Sequence, residues 1–245
     1  GIAIGNGMTD TVTQIPYTAD MARNNGYIDL VSADEFDKLK AAAATCGKLV
    51  EQCQTNDTIC LQATAYWGDN VLGLMLNNTN VTGNPYDIRE DCTNGCIDHV
   101  QYAAEFLNNP LIQSKLHVNK TWTEVSQQVY LDFSTDFMKN YVSFVPDVLA
   151  HDVRVMIYAG DADLMCNWIG NQAWTKALEW PGKAAFNNAT VKPLLVNGKK
   201  SGEVRATDML SFVRVYNAGH MVPMDQPEVS LELVNRFFSN SHLDQ

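Results

Sequence analysis

An α/β fold built on a parallel sheet is what this sequence predicts, and two repeated units near its end predict it. The first is a near-continuous apolar run over residues 153–158, closed by Ala159-Gly160 and followed by a helical pattern from Asn167 to Trp180. The second is Phe212-Val213-Arg214-Val215-Tyr216, followed across a loop by a helical pattern over Pro227 to Phe238. Strands that alternate with helices imply a parallel sheet covered by those helices. A third observation is the opening Gly-Ile-Ala-Ile-Gly-Asn-Gly, which reads as one more buried strand over residues 1–7, ending in a turn.

Composition narrows the class. The chain has 245 residues, 46% of them apolar and 18% charged. That is globular and excludes a disordered or fibrous chain. No apolar run reaches the length of a membrane span. Seventeen basic residues against 28 acidic ones leave a formal charge of −11. With no basic patch to hold phosphates, neither nucleic acid nor membrane is expected as a partner. The chain begins with apolar residues and no initiator Met. It is therefore expected to be a fragment or a processed chain, and the lack of a signal peptide says nothing of compartment.

Compartment is argued from two other features. Six cysteines occur, and Cys46, Cys53, Cys60, Cys92 and Cys96 lie close together in a polar, loop-rich region, apart from Cys166. Asn-X-Ser/Thr triplets occur at Asn56, Asn77, Asn80, Asn119 and Asn188. Together they favour a disulfide-bonded glycoprotein on an oxidising route, secreted, vacuolar or lysosomal.

In chain order, residues 17–27 carry a helical pattern with Gly26 as its C-cap. Ser32-Ala33-Asp34-Glu35 reads as a capping box. It opens a helix whose apolar stripe is Phe36, Leu39, Ala43, Cys46, Val50 and Cys53. A disulfide from Cys53 to Cys60 closes a short polar loop, and one from Cys92 to Cys96 spans an Asn-Gly turn. Zinc is the weaker alternative, because only His99 lies at ligand spacing. Residues 98–107 read as a helix ended by Asn109-Pro110, and residues 136–149 as helical. Residues 183–211 are polar, with turns at Gly198 and Gly202 and a possible hairpin. The expected division is therefore an α/β core formed by residues 1–10 and 140–245, with residues 11–139 as a mostly helical, disulfide-bearing insertion.

Active residues of parallel sheets gather where strands end. Asp163 follows one strand and His220 another, and adjacent strands would let the two side chains meet. The carboxylate would then hold the Nδ1–H of the imidazole and leave the other nitrogen as a base. Asp161 competes for this role, but it directly follows the strand glycine and is better placed to order the turn. The order Asp then His, with a nucleophile before them, is that of Ser-Asp-His hydrolases. No serine here sits in a Gly-X-Ser-X-Gly elbow. Lys200-Ser201-Gly202 is a polar turn placed after Asp163, the wrong order. Cys166, at the start of a helix whose dipole would lower its pKa, is a conceivable nucleophile. A buried thiol lining a pocket is the better reading of it.

Ile157-Tyr158-Ala159-Gly160-Asp161-Ala162-Asp163, with Cys166-Asn167-Trp168 and Gly170-Asn171 after it, resembles the serine carboxypeptidases of the carboxypeptidase Y type. So do Gly219-His220-Met221-Val222-Pro223 with Asp225 and Pro227, and Gly5-Asn6-Gly7 with Thr9-Asp10. Tyr86-Asp87-Ile88-Arg89 and Phe106-Leu107-Asn108 also match, so the resemblance runs nearly end to end. It implies an α/β-hydrolase fold with an insertion over the active site. It also implies removal of C-terminal residues from peptides, best at acidic pH, without metal or cofactor. Asp163 and His220 match two catalytic residues. Cys166, Met221 and Tyr86 match the pocket for the leaving residue, and Met165 would face the preceding one. The serine and the binders of the terminal carboxylate are expected upstream, so the partners are peptides with a free C-terminus and the missing N-terminal part of the same protein. Val125 and Trp67 stand where relatives carry cysteines, which leaves Cys46 free, paired upstream or competing with Cys53 and Cys60. Acyl transfer or lyase chemistry on the same fold, and a truncated inactive glycoprotein, are the alternatives.

Overall fold

The computed structural model describes residues 1–77, 83–92, 96–97 and 100–243. Its centre is a five-stranded sheet: β1 (Ile2–Gly5), β2 (Val155–Gly160), β3 (Lys192–Val196), β4 (Lys199–Ala206) and β5 (Leu210–Val215), in the order β1-β2-β5-β4-β3. The first three in that order run parallel. The other two add antiparallel, as a hairpin turning on Asn197 and Gly198 with φ of 50° and 74°. Left-handed residues at both turn positions match the twist of the flanking strands.

β2 lies between two partners and is buried along nearly all its length. That is why it reads as an unbroken apolar run rather than an alternation. Its side chains still divide by period two. Val155 and Ile157 join Phe212, Val145, Leu149, Trp174 and Phe186 on one face. Met156 joins Val213, Val215, Val229, Leu233 and Phe237 on the other. The helices Phe144–Ala150 and Trp168–Ala177 thus cover one side and Pro227–Phe238 the other.

A third core is helical. The helix Ala33–Cys53 opens on the capping box, with Ser32 Oγ accepting from Glu35 N and Glu35 Oε2 accepting from Ser32 N. Its stripe of Leu39, Ala43, Cys46, Val50 and Cys53 is buried against Ile15, Met21, Ala63, Val71 and Met75. Ala162 and Leu164, from the loop after β2, join the same cluster, so the helical region packs directly on the exit of the sheet. Cys53 is bonded to Cys60 and Cys92 to Cys96; Cys46 and Cys166 are free and buried. Cys46 therefore displaces neither partner of the first bridge. Burial pushes its thiol up to about 12. The Asn-Gly turn of the second bridge and His99 lie outside the described residues.

Several expectations are corrected. The opening strand is not buried: among the described residues β1 pairs only with β2, at the edge of the sheet, and Ile2 is 41% exposed. Apolar composition does not distinguish an edge strand from a central one. Over residues 136–149, turns occupy the first part and the helix is only Phe144–Ala150. Asn109-Pro110 ends one helix but starts the next, since Pro110 is the first residue of Pro110–Leu116 and Asn109 caps it. Within residues 183–211, a short helix, Lys183–Asn188, precedes the hairpin. Lys200-Ser201-Gly202 is part of β4 rather than a turn, and Gly202 pairs with Val215. Gly26 has φ of 87° and follows the actual C-cap, Asn25, of helix Thr18–Asn24. Among the described residues no helix is long and apolar enough to cross a membrane.

Candidate active site

Three parallel neighbours, β1, β2 and β5, end on the same side of the sheet, so the segments leaving them converge. Gly5 aligns with Tyr158, and Gly160 with Val215. From β2 the chain turns through Asp161 to Asp163. From β5 it passes Asn217, left-handed with φ of 54°, to His220. Asp161 N–H donates to Val215 O at 3.0 Å and Ala162 N–H to Ala218 O at 2.8 Å, which laces the two exits together. Gly160 and Gly219 permit this approach. A Cβ on Gly160 would lie 2.1 Å from Gly219 O, and one on Gly219 would lie 2.5 Å from Tyr86 O.

Between the exits runs the segment around Tyr86. Leu164 and Met165 N–H groups both donate to Pro85 O, His220 N–H donates to Tyr86 O at 2.7 Å, and Ile88 N–H donates to Ala162 O at 3.0 Å. The Tyr86 ring lies 5.3 Å from the imidazole, tilted against it. Asp87 and Arg89 form an ion pair, with Arg89 also 3.9 Å from Asp225.

At the centre, His220 Nδ1 lies 2.9 Å from Asp163 Oδ2. Asp163 is wholly buried, and the His220 side chain is 27% exposed. The carboxylate oxygen can only accept, so Nδ1 carries the proton, and in the neutral ring Nε2 is left with a free lone pair. Two further donors complete the carboxylate: Asn6 Nδ2 at 2.7 Å on Oδ2 and Cys166 N–H at 3.2 Å on Oδ1. Burial pulls the imidazole pKa down, but the hydrogen bond and charge of Asp163 outweigh it and leave it raised. This arrangement can take a proton at Nε2 and stabilise the resulting imidazolium.

Asp161 does not compete for the histidine. Its carboxylate accepts from Tyr27 Oη at 2.6 Å and Asn217 N–H at 2.9 Å, and pairs with Arg214 at 3.3 Å. It fixes the loop of the second strand rather than its own turn. Burial raises its pKa against the opposing pull of these partners.

The concavity over His220, bordered by Tyr86, Cys96, Met221 and Met224, has a volume of only about 20 Å³. A cleft of about 700 Å³ lies at the opposite end of the strands, beside Arg154, Met209 and Phe237. It is remote from the Asp163–His220 pair, so size alone points away from the chemistry.

Comparison with known proteins now decides the family. A profile described as "Serine carboxypeptidase" matches residues 1–240. The chain belongs to the serine carboxypeptidase family. Carboxypeptidase Y homolog A of Fusarium vanettenii is 38% identical over 245 residues, which are 96% of this chain and 45% of that protein. Carboxypeptidase Y of Schizosaccharomyces pombe is 37% identical over 98% of this chain and 24% of its own length. The crystal structure of KEX1(delta)p, a prohormone-processing carboxypeptidase from Saccharomyces cerevisiae, superposes with a TM-score of 0.77 at 25% identity, covering 97% of this chain and 54% of that one. The fold is therefore the α/β-hydrolase fold, and the chain spans about half the length of most relatives it matches.

In this serine carboxypeptidase chain the remaining candidate residues fall as follows. Cys166 is buried, and burial foremost, with the charge of Asp163, pushes its thiol well above the ordinary value. The helix starts at Trp168 with Asn167 as its cap, so Cys166 lies before its first turn, and its thiol pKa is raised rather than lowered as expected. Cys166 and Asp163 lie within 4.8 Å of His220 through their ligand atoms. Met165 is partly buried against the helical core, and Met221 is exposed beside His220. Asn56, Asn77, Asn119 and Asn188 are exposed; Asn80 lies outside the described residues. Asn56 also caps the helix Asp57–Tyr66, accepting from Thr58 N–H through Oδ1.

Residue-by-residue reading of the sequence missed two participants. Asn6 reaches Asp163, and Asp225 Oδ2 accepts the N–H of Gly219 at 2.6 Å. For Asn6 a local signal existed: an Asn between two glycines after a strand favours a left-handed turn, and its φ is 46°.

Proposed function

We propose that this chain is the Asp- and His-bearing part of a serine-type carboxypeptidase that releases C-terminal residues from peptides. The observation that carries the reading is the Asp163–His220 hydrogen bond at the exits of two adjacent parallel strands, in a chain of this family. His220 Nε2 takes the proton of a serine hydroxyl supplied by the rest of the protein as that oxygen attacks the scissile carbonyl. The same proton passes to the leaving amine as the C–N bond breaks. Water then repeats the sequence against the acyl-enzyme and regenerates the serine. Tyr86, Met221 and Cys166 are assigned to the pocket for the leaving residue and Met165 to the preceding one; in support, Tyr86 and Met221 border the concavity over His220.

Residues 11–139 are proposed as the cap over this site and residues 1–10 with 140–245 as part of the hydrolase core. Two disulfides and exposed Asn-X-Ser/Thr triplets support a glycoprotein of the vacuolar, lysosomal or secreted route. An acidic working pH gains no support from His220. Its raised pKa leaves less neutral imidazole in acid, so an acidic optimum would have to come from groups that bind the substrate carboxylate.

The test is the product of the complete coding sequence assayed on N-blocked dipeptides. Release of the C-terminal amino acid, lost on the order of 10⁴-fold or more in His220→Ala, is the expected result. Unchanged release in that variant would overturn the assignment, and no release by the parent protein would favour an inactive relative.

A further inference from the structure

Asn6 is the buried polar residue beside the site to which the catalytic reading gives no task. It is 4% exposed, directly follows β1, and adopts a left-handed backbone with φ of 46°. Its backbone N–H donates to Tyr158 O at 2.9 Å, which extends the β1–β2 pairing by one residue. Its side chain then turns into the space between the strand exits. Nδ2 donates to Asp163 Oδ2 at 2.7 Å and lies 3.4 Å from Gly219 O, while Oδ1 accepts from Gly160 N–H at 3.3 Å.

An amide offers two N–H donors and an acceptor in one plane. Here all three are used, on three segments that are 157, 213 and 154 residues away in the chain. Asp163 is consequently held at two points. Cys166 N–H fixes Oδ1, and Asn6 fixes Oδ2, the oxygen that faces His220. Both oxygens move together when the carboxylate turns about its Cβ–Cγ bond, so without Asn6 that torsion would be held, His220 apart, by the longer 3.2 Å bond from Cys166 N–H alone. The link to Gly219 acts on the residue directly before the histidine.

We propose that Asn6 is a positioning residue for the Asp163–His220 pair: its side-chain amide locks the carboxylate oxygen presented to His220 Nδ1 and ties it to the loop that carries the histidine. The inference rests on the proposed role of His220 and deepens it. The opposing explanation is that Asn6 serves only its turn, because Asn tolerates a left-handed backbone. The two make different demands on the side chain. Glycine satisfies the turn and removes the amide. Aspartate keeps the shape but places an acceptor against Asp163 Oδ2, where two carboxylates cannot both ionise. Besides Asp163, the titratable groups nearest His220 are Cys166 and Tyr86. Asp87, Glu90 and Asp225 line the concavity they share with His220, Arg89 pairs with Asp87, and Asp161 is paired with Arg214.

The experiment compares Asn6→Gly and Asn6→Asp with the parent in the product of the complete coding sequence. Two readouts are used: steady-state hydrolysis of an N-blocked dipeptide, and the downfield proton resonance of the His220 Nδ1–H bridge. Both variants are expected to lower kcat on the order of 10-fold to 100-fold with KM within about twofold, the pattern of misplaced chemistry rather than lost binding. Both are expected to broaden or lose the resonance while circular dichroism stays that of the parent. Parent-like kcat and an unchanged resonance in Asn6→Gly would overturn the proposal and leave Asn6 a turn residue. Should Asn6→Gly not fold, Asn6→Asp decides by the same two readouts. Should the parent hydrolyse no peptide, the carboxypeptidase reading fails but the resonance still decides the role of Asn6.

Discussion

Gly219 and Asp225 are joined by a 2.6 Å hydrogen bond, so a carboxylate just after His220 in the chain holds the backbone just before it. The turn carrying the histidine is closed on itself. Asp225 is held above its ordinary carboxylate range chiefly by burial and further by the charge of Asp87, against the pull of Gly219 N–H and Arg89. A raised carboxylate pKa means that the fold favours the protonated form. The stability this confers is complete below the unfolded value of about 3.8 and is lost as pH rises through the raised folded one. Asp225→Asn, which keeps an oxygen for Gly219 and never ionises, is expected to melt progressively higher than the parent as pH rises from acid to neutral. A melting-temperature difference that stays flat or shrinks over that range would contradict this account.

Gly219 admits no side chain. A Cβ there would lie 2.5 Å from Tyr86 O and 2.7 Å from Asp87 Oδ2, and the first of these is backbone that cannot yield without moving the segment that also receives His220 N–H. Gly219→Ala is expected to destabilise the protein by about 1–3 kcal/mol, the usual cost of overpacking. It should also lower kcat on the order of 100-fold through displacement of His220. Urea denaturation and steady-state kinetics on the same preparation measure the two effects.

Asp163 is what raises the imidazole. Asp163→Asn removes the charge and leaves burial as the dominant influence, so the His220 pKa is expected to fall below 6.5, read by NMR titration of the ring. In the parent the pair stabilises the fold fully below about 6.5, and that contribution is lost as pH rises through the raised folded value. Activity runs the other way, because the base must be neutral: kcat should fall as pH drops through the pKa of His220. In Asp163→Asn the residual activity should keep its level further into acid, while falling on the order of 10⁴-fold overall.

The bridge between Cys53 and Cys60 closes a loop of sequence separation 7 at the end of the long helix. Restricting so short a loop in the unfolded chain stabilises by about 2–3 kcal/mol. Cys53→Ala with Cys60→Ala is expected to lose about that much in chemical denaturation while leaving KM unchanged, because the bridge packs in the helical core rather than beside His220. A shift in KM with no loss of stability would place the bridge in the site instead.

What could be read from the sequence, and what could not, follows the range of the forces involved. The helix Pro227–Phe238 and the capping box at Ser32 were legible because their signals repeat or close within four residues. Asp163 and His220 were legible as candidates because each follows an apolar strand. The helix Lys183–Asn188 is too short to display a period. Gly202 was misread because glycine signals turns; here it lets β4 approach β5, with a Cβ at 2.2 Å from Arg214 O. No local pattern could announce that Asn6 meets Asp163, since that contact exists only once β1 lies against β2.

That pairing has a consequence for the order of events during folding. The helical hairpins of residues 33–76 make contacts between near neighbours in the chain, whereas Asn6 waits 157 residues for Asp163 and Asp163 waits 57 more for His220. Contacts of long sequence separation form late, because closing the intervening loop must precede them. The Asp163–His220 pair should therefore mature after the helices have packed. In pulsed hydrogen exchange during refolding, the amides of Ala162 and His220 are expected to gain protection later than those of residues 39–50. In a chain still emerging from synthesis Asn6 and Asp163 appear well before His220, so the pair has no base until the segment that follows β5 is released.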